Sequence, residues 1–141
     1  MNHRLEALVE EAGPSTSKGT VRSHTVFVDR PTASGGADRG PKGGELLLIA
    51  AGGCFMTHLL AAIRARDAEI SDVKVAVTDT LGGTPERFID LTLHVSATCP
   101  DAALFAKLTT LAERACQVLN TLKESMPVSL VLETSTTALQ P

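Results

Sequence analysis

The sequence predicts an α+β domain in which an antiparallel β-sheet packs on two helices. Residues 73–80 and 88–98 alternate apolar and polar side chains on either side of a Gly-Gly-Thr-Pro turn, which predicts a β-hairpin. Residues 46–63 carry no formal charge, which predicts a long buried helix. Leucines recur along one side of a second predicted helix, residues 102–119, and residues 128–134 form a final predicted strand. The predicted order is β, long loop, α, β, β, α, β.

The chain before the first helix divides into a polar lead-in, a strand and a loop. Residues 1–19 are polar and end in a turn-rich segment, and residues 21–28 alternate well enough for a strand. Residues 29–44 hold five glycines and two prolines, which predicts a long loop. Loops of this length without secondary structure of their own are usually functional or mobile.

The long helix is predicted to begin near Glu45 and to end at about residue 66 or 67. An acidic residue at its start and arginines at its end suit the helix dipole. Gly52 and Gly53 lie inside it, which predicts a kink or close packing. The uncharged run is long enough for a membrane span. Its glycines, Thr57 and His58 favour instead a helix in the core or at a subunit interface.

Length and composition are typical of one globular domain. The chain has 141 residues, of which 43% are hydrophobic and 21% charged. We expect a single domain over residues 1–141 with its core at about 20–135. With 3% aromatics and a net charge of −3, binding to nucleic acid or to a membrane is not expected. The first residues lack the apolar core of a signal peptide, so a cytoplasmic protein with reduced thiols is expected.

Cys54 is the leading candidate for a reactive thiol. A cysteine becomes reactive beside a helix N-terminus or a cation, and a helix broken at Gly52-Gly53 would place Cys54 at the start of its second half. The alternative is a small apolar residue in a tight helix crossing. Cys116, in the second helix, could resolve an oxidised Cys54 if the helices pack together, or it could be a core residue. Cys99 is interpreted as structural.

Other residues could assist Cys54 from neighbouring positions. Glu45 lies nine residues earlier, on the opposite side of a straight helix, so it could share the site only through a kink or a bridging cation. Arg30 and Arg39 lie in the glycine-rich loop, and either could fold over the thiol. His58 is four residues later and shares a helix face with Cys54.

A metal site formed by Cys and His side chains is a weaker alternative. Cys54 and His58 would need His94 and Cys116 to complete four ligands, and no local Cys-x-x-Cys or His-x-x-x-His pair supports this. A Cys-His nucleophilic pair for acyl transfer is equally generic. No metal and no cofactor are therefore expected.

Several short segments recur with the spacing of a known family. They are residues 35–36, 40–41, 45–47 and 50–54, followed by residues 115–118 with Leu122 and the strand 128–132. Together they resemble the signature of the OsmC/Ohr proteins, which are osmotically inducible and organic hydroperoxide resistance proteins. The resemblance covers about residues 20–135.

The resemblance implies an α+β fold built as an intertwined homodimer, with the long helix central and two active sites at the interface. It also implies a thiol peroxidase that reduces organic hydroperoxides or hydrogen peroxide. Cys54 would attack the peroxide and become a sulfenic acid, and Cys116 would condense with it to a disulfide. A dithiol donor such as a lipoylated protein would then restore both thiols. Glu45 would be the conserved acid that holds an arginine, Arg39 or Arg30, beside the thiolate.

Three departures from the family pattern keep a second interpretation open. Gly43-Gly44 stand where a proline usually precedes the glutamate, and Gln117 stands where a proline commonly follows the second cysteine. The activating arginine has no unambiguous equivalent: Arg39 lies six residues before Glu45, and Arg30 lies in the Asp-Arg-Pro turn at residues 29–31. The alternative function is a non-catalytic protein that retains a small hydrophobic ligand around Cys54.

Overall fold

The computed structural model describes residues 2–136, so Met1 and residues 137–141 of the predicted domain lie outside the described residues. The chain divides into two compact units, residues 1–47 and residues 48–141. Helix α1, Gly43–Ala65, begins in the first unit and continues in the second.

The first unit contains a three-stranded antiparallel sheet in the order β1-β2-β3. Its strands are β1 (Leu8–Glu11), β2 (Ser17–Val21) and β3 (His24–Val28), followed by a short 3-10 helix at Thr32–Ser34. The prediction that residues 1–19 form only a lead-in is therefore wrong. Most side chains of β1 and β2 are exposed, so these strands lack the apolar alternation that reveals a strand in a sequence.

The glycine-rich loop is held to the first unit by the buried carboxylate of Asp29. The Thr16 hydroxyl donates to Asp29 Oδ2 at 2.7 Å, the Arg30 N–H donates to Oδ1 at 2.7 Å, and the Arg39 N–H donates to Oδ2 at 3.2 Å. The hydrogen bond from Thr16, supported by these backbone donors, holds the pKa of Asp29 far below its ordinary value. A Cβ at Gly40 would lie 2.0 Å from the Phe27 carbonyl oxygen, so only glycine fits this approach.

The second unit contains a mixed three-stranded sheet in the order β4-β5-β6. The predicted hairpin is confirmed: β4 (Ser71–Gly82) and β5 (Arg87–Thr98) pair antiparallel. Strand β6 (Val128–Ser135) pairs with β5 in parallel, so the prediction of an entirely antiparallel sheet is wrong. Two helices, α2 (Ala102–Ala115) and α3 (Gln117–Leu122), connect these two strands. A helical crossover brings the chain back to the end of the sheet where the first strand began, so the next strand runs in the same direction and pairs in parallel.

The predicted second helix is interrupted at one residue. Cys116 has an extended backbone, with φ −78° and ψ 108°, and it separates α2 from α3. The apolar repeat continues through the interruption because Leu119 of α3 is as fully buried as Leu108 of α2. This hidden break sets the position of the second thiol.

The core of the second unit is aliphatic with two phenylalanines. It joins residues of α1, β5, α2 and α3, the largest of which are Phe55, Leu59, Leu91, Leu93, Val95, Phe105, Leu108 and Leu119. Helix α1 is not interrupted at Gly52 and Gly53, so Cys54 does not lie at the start of a new helix. The predicted close packing is confirmed, since a Cβ at Gly52 would lie 2.8 Å from Val77 Cγ2.

Candidate functional site

Cys54 projects from the continuous helix α1 and is half-buried. Its thiol donates a hydrogen bond to the side-chain oxygen of Gln117, with 3.6 Å between Sγ and Oε1. Gln117 is the first residue of α3, so the interruption at Cys116 places this amide opposite α1. The polar neighbour of the candidate nucleophile is thus a neutral amide in a different helix.

His58 contacts the same amide oxygen. One turn after Cys54, its Nε2 lies 3.1 Å from Gln117 Oε1, so the ring is placed to donate an N–H to that oxygen. The prediction that His58 and Cys54 share a helix face is confirmed by this common partner. Gln117 therefore joins the thiol and the imidazole through one atom.

Cys116 is completely buried beside Cys54. Burial raises the pKa of the Cys116 thiol to about 11, and the neighbouring Cys54 acts in the same direction, against weaker stabilisation of the thiolate by the Leu119 N–H. Both residues are free thiols. The structure thus brings the two predicted cysteines together and gives them different environments, because one is accessible and the other is not.

Cys99 has a different environment from Cys54 and Cys116. It is 2% exposed, its Sγ lies 3.8 Å from the Asp101 carbonyl oxygen, and burial raises its pKa. A thiol in this environment stays protonated and packs as a small apolar residue. This agrees with the structural interpretation of Cys99.

Glu45, Arg39 and Arg30 belong to the first unit. Glu45 Oε1 accepts the Lys42 N–H at 2.9 Å, which is the reciprocal half of a capping box at the start of α1. The Arg39 side chain donates to the Ala12 carbonyl at 2.8 Å and lies over the Phe27 ring, 4.9 Å from its centroid. The Arg30 side chain is exposed, and within residues 2–136 it has no ion pair.

An apolar groove lies between α1 and β4 in the second unit, with a volume of about 420 Å³. Its lining consists of Leu48, Ile49, Gly52, Gly53, Met56, Val75 and Val77. Gly53 directly precedes Cys54, and a Cβ at Gly53 would meet no atom within 4 Å. The groove can therefore hold an apolar group, but Cys54 does not line it, because its side chain projects towards α3.

The metal hypothesis finds no support in the part of the chain that the structure describes. No group of three or more His, Cys, Asp or Glu side chains within it could hold a metal ion. His94 is exposed on β5, whose neighbouring residues Leu93 and Val95 face the core, so it lies on the opposite face of the strand from the core.

Sequence reasoning noticed Gln117 only as a departure from the expected proline and missed its contacts. The signal was present in its position directly after Cys116. It could not be used because the uninterrupted apolar repeat gave no sign that a new helix starts there.

Comparison with known proteins assigns the chain to a family. The family described as OsmC-like protein matches residues 35–131, more than half of the chain. This chain belongs to the OsmC-like protein family. The matched range contains Glu45, Cys54, His58, Cys116 and Gln117.

Solved structures show the same OsmC-like fold. An OsmC-like protein from Mycoplasma pneumoniae superposes with a TM-score of 0.83 at 15% identity, over 96% of this chain and 99% of that one. A hypothetical protein from Aquifex aeolicus superposes with a TM-score of 0.83 at 16% sequence identity, over 96% of this chain and 99% of that one. An organic hydroperoxide resistance protein from Elizabethkingia anophelis superposes with a TM-score of 0.71 at 16% sequence identity, over 97% of this chain and 99% of that one. A comparison with curated protein sequences finds no match.

Proposed function

We propose that this OsmC-like protein is a thiol peroxidase that reduces organic hydroperoxides, with hydrogen peroxide as a second and smaller substrate, in defence against oxidative stress. One observation carries the proposal: an accessible thiol, Cys54, lies beside a fully buried one, Cys116. A pair of this kind suits a division between an attacking and a resolving sulfur. Structural likeness to organic hydroperoxide resistance proteins supports the class of substrate.

The reaction follows from the two environments. The Cys54 thiolate attacks one peroxide oxygen, the O–O bond breaks, and the leaving alkoxide takes a proton to become an alcohol. Cys54 is thereby oxidised to a sulfenic acid. The Cys116 sulfur then attacks the Cys54 sulfur, the S–O bond breaks, and water leaves with the Cys116 proton. A dithiol reductant, such as a lipoylated protein, supplies two electrons and two protons to restore both thiols.

The order of the two cysteines is supported by the protonation of Cys116 and the exposure of Cys54. The raised pKa of Cys116, about 11, keeps this residue a thiol near neutral pH, and a thiol is a poor nucleophile towards peroxide. Cys54 is accessible, and its thiol faces Gln117 of α3 and not the groove between α1 and β4.

Arg30 is the better candidate for the cation that the family places beside the thiolate. The Arg39 guanidinium is already held by the Ala12 carbonyl and the Phe27 ring, whereas the Arg30 side chain is exposed. Glu45, which caps α1, would position this arginine. Arg30→Ala should then lower peroxidase activity more than Arg39→Ala, and the opposite order would contradict the assignment.

A homodimer is proposed because α1 exposes an apolar face. By length and composition alone α1 could cross a membrane, and only 28% of its most apolar window is buried. Exposed residues recur every three or four positions, at Ile49, Gly53, Thr57 and Leu60. A second copy would cover this face. Sedimentation should give twice the 14.8 kDa mass of the chain, and the monomer mass would contradict the dimer.

The reduced thiols suit the cytoplasm as the proposed location.

Thiol counting tests the peroxidase directly. The reduced protein is mixed with one equivalent of an alkyl hydroperoxide, and free thiols are mapped by mass spectrometry. We expect Cys54 and Cys116 to disappear together as a disulfide while Cys99 stays free. Cys54→Ser should protect the other two cysteines, and Cys99→Ser is the matched control that should behave like the parent protein. If Cys54 stays reduced in the parent protein, the proposal is wrong.

A second candidate function is retention of a small hydrophobic ligand without catalysis. The groove of about 420 Å³ beside Gly53 favours it, because a cavity of this size suits a small molecule. A hydrophobic fluorescent probe should then bind the parent protein and the Cys54→Ser variant with equal affinity. Binding by the variant together with unreactive thiols in the parent protein would favour this function over the peroxidase.

A further inference from the structure

The Gln117 side chain contacts two groups whose protonation can change, the Cys54 thiol and the His58 imidazole. Its Oε1 lies 3.6 Å from the Cys54 sulfur and 3.1 Å from His58 Nε2. A side-chain amide carries an acceptor and a two-proton donor at nearly the same distance from its carbon. Rotation about the terminal C–C bond by half a turn therefore exchanges the acceptor for the donor without moving the helix.

The observed arrangement suits the protonated form of Cys54. The thiol donates to Oε1, and His58 donates to the same oxygen from Nε2. Once the thiol loses its proton to solvent, the carbonyl oxygen would face an anion with its negative end. The exchanged amide would instead donate one N–H to the thiolate, and hydrogen bonds to an ionised group are about twice as strong as neutral ones.

His58 is able to follow this exchange. A neutral imidazole carries its proton on either ring nitrogen. With the proton on Nε2 the ring donates to Oε1, and with the proton on Nδ1 its bare Nε2 accepts the second N–H of the exchanged amide. Both orientations of Gln117 therefore leave every facing group with a partner.

We propose that Gln117 is a positioning residue for Cys54, which accepts from the thiol and, after exchange of its amide ends, donates to the thiolate with His58 as the second partner. This inference rests on the proposed function, since it concerns how the attacking sulfur is held ready. It differs from the family pattern, in which proline commonly follows the second cysteine. This chain would supply through an amide a stabilising contact that proline cannot make.

Alkylation of Cys54 tests the inference without any peroxide. Iodoacetamide is neutral and reacts with the thiolate, and mass mapping follows the Cys54 peptide from about pH 6 to about pH 9. Gln117→Glu can only accept, so alkylation near pH 7 should slow at least about tenfold. Gln117→Met has neither donor nor acceptor, and it should slow the reaction about threefold. Thiol reactivity that depends on Gln117 in a protein that does not consume hydroperoxide would retain this inference and reject the peroxidase.

Matched variants separate positioning from charge and from folding. Thr121→Glu adds the same charge one turn later on α3, at an exposed site whose hydroxyl donates to the Gln117 backbone carbonyl. Thr121→Gln loses the same hydroxyl without adding charge, and both variants should alkylate at the parent rate. His58→Leu should slow alkylation about twofold, and His58→Gln, which can again donate or accept, should restore it. If Gln117→Met matches the parent at every pH, or if Thr121→Glu slows the reaction as much as Gln117→Glu, the inference is wrong. The Met and His58 variants carry the test should Gln117→Glu fail to fold.

Discussion

Asp29 in the first unit and Gln117 in the second each gather several hydrogen-bond partners on one side chain, with opposite chemistry. Asp29 is 3% exposed, and as a carboxylate it can only accept, so its three donors fix a single arrangement of the loop. Gln117 is exposed and neutral, and its amide can accept or donate. The first arrangement suits a permanent anchor, and the second suits a site whose protonation changes during a reaction.

The largest expected effect comes from changing the anchor. Asp29→Asn presents an NH₂ group to donors that need an acceptor, so the glycine-rich loop should detach from Thr16. Trypsin should then cleave after Arg39 or Lys42 at least about tenfold faster. Asp38→Asn is the matched control, because Asp38 is exposed in the same loop and asparagine tolerates its left-handed φ of 54°. Equal cleavage of both variants would show that Asp29 is not the anchor.

The two regions should also differ in their response to pH. The depressed pKa of Asp29 means that its stabilising contribution is present above the ordinary carboxyl pKa and is lost as pH falls through the lower folded value. The raised pKa of Cys116 acts at the other end: its contribution is complete below about pH 9 and is lost as pH rises towards 11. The alkaline loss is on the order of 2 kcal/mol.

Denaturant unfolding at a series of pH values measures both limbs. Asp29→Asn should flatten the acid limb only, and Cys116→Ala should flatten the alkaline limb only. Cys99→Ala provides the comparison for the second, because burial raises the pKa of Cys99 as well. An alkaline limb that Cys116→Ala leaves unchanged would contradict the environment assigned to this thiol.

The last comparison separates two adjacent glycines that directly precede Cys54. Gly52→Ala would press a methyl group against Val77 at 2.8 Å and should destabilise the protein by about 1–3 kcal/mol. Gly53→Ala meets no atom of its own chain within 4 Å, so it should stabilise α1 by up to about 1 kcal/mol unless the second copy of the proposed homodimer occupies this space. Thermal unfolding of the two variants gives the comparison. Equal destabilisation would mean that Gly53 is covered, as a subunit contact would do.

Local patterns in the sequence are sufficient for α1, which contains a long run without charged residues, and for the β4-β5 hairpin, whose strands alternate apolar and polar residues. They fail for β1 and β2, whose side chains stay largely exposed. The direction of β6 depends on its partner strand and not on its own residues, although the predicted helical crossover from β5 was a usable sign of parallel pairing.

The candidate site, like the fold, could be predicted only in part from the sequence. The Gly-Gly-Cys motif and the second cysteine could be found by resemblance to the family. The contact from Gln117 to Cys54 and His58 could not, because it depends on the extended backbone of Cys116, and the continuous apolar repeat around that residue predicts an unbroken helix.

The parallel pairing of β6 with β5 has a consequence for the order of assembly. The β4-β5 hairpin joins neighbouring stretches of chain and can form early, whereas β6 must wait for the crossover that contains α2 and α3. Cys116 lies within that crossover, so it reaches Cys54 only when the slower, non-local step is complete. If the protein is the proposed peroxidase, its Cys54-Cys116 disulfide would therefore form only in a chain whose fold is nearly finished.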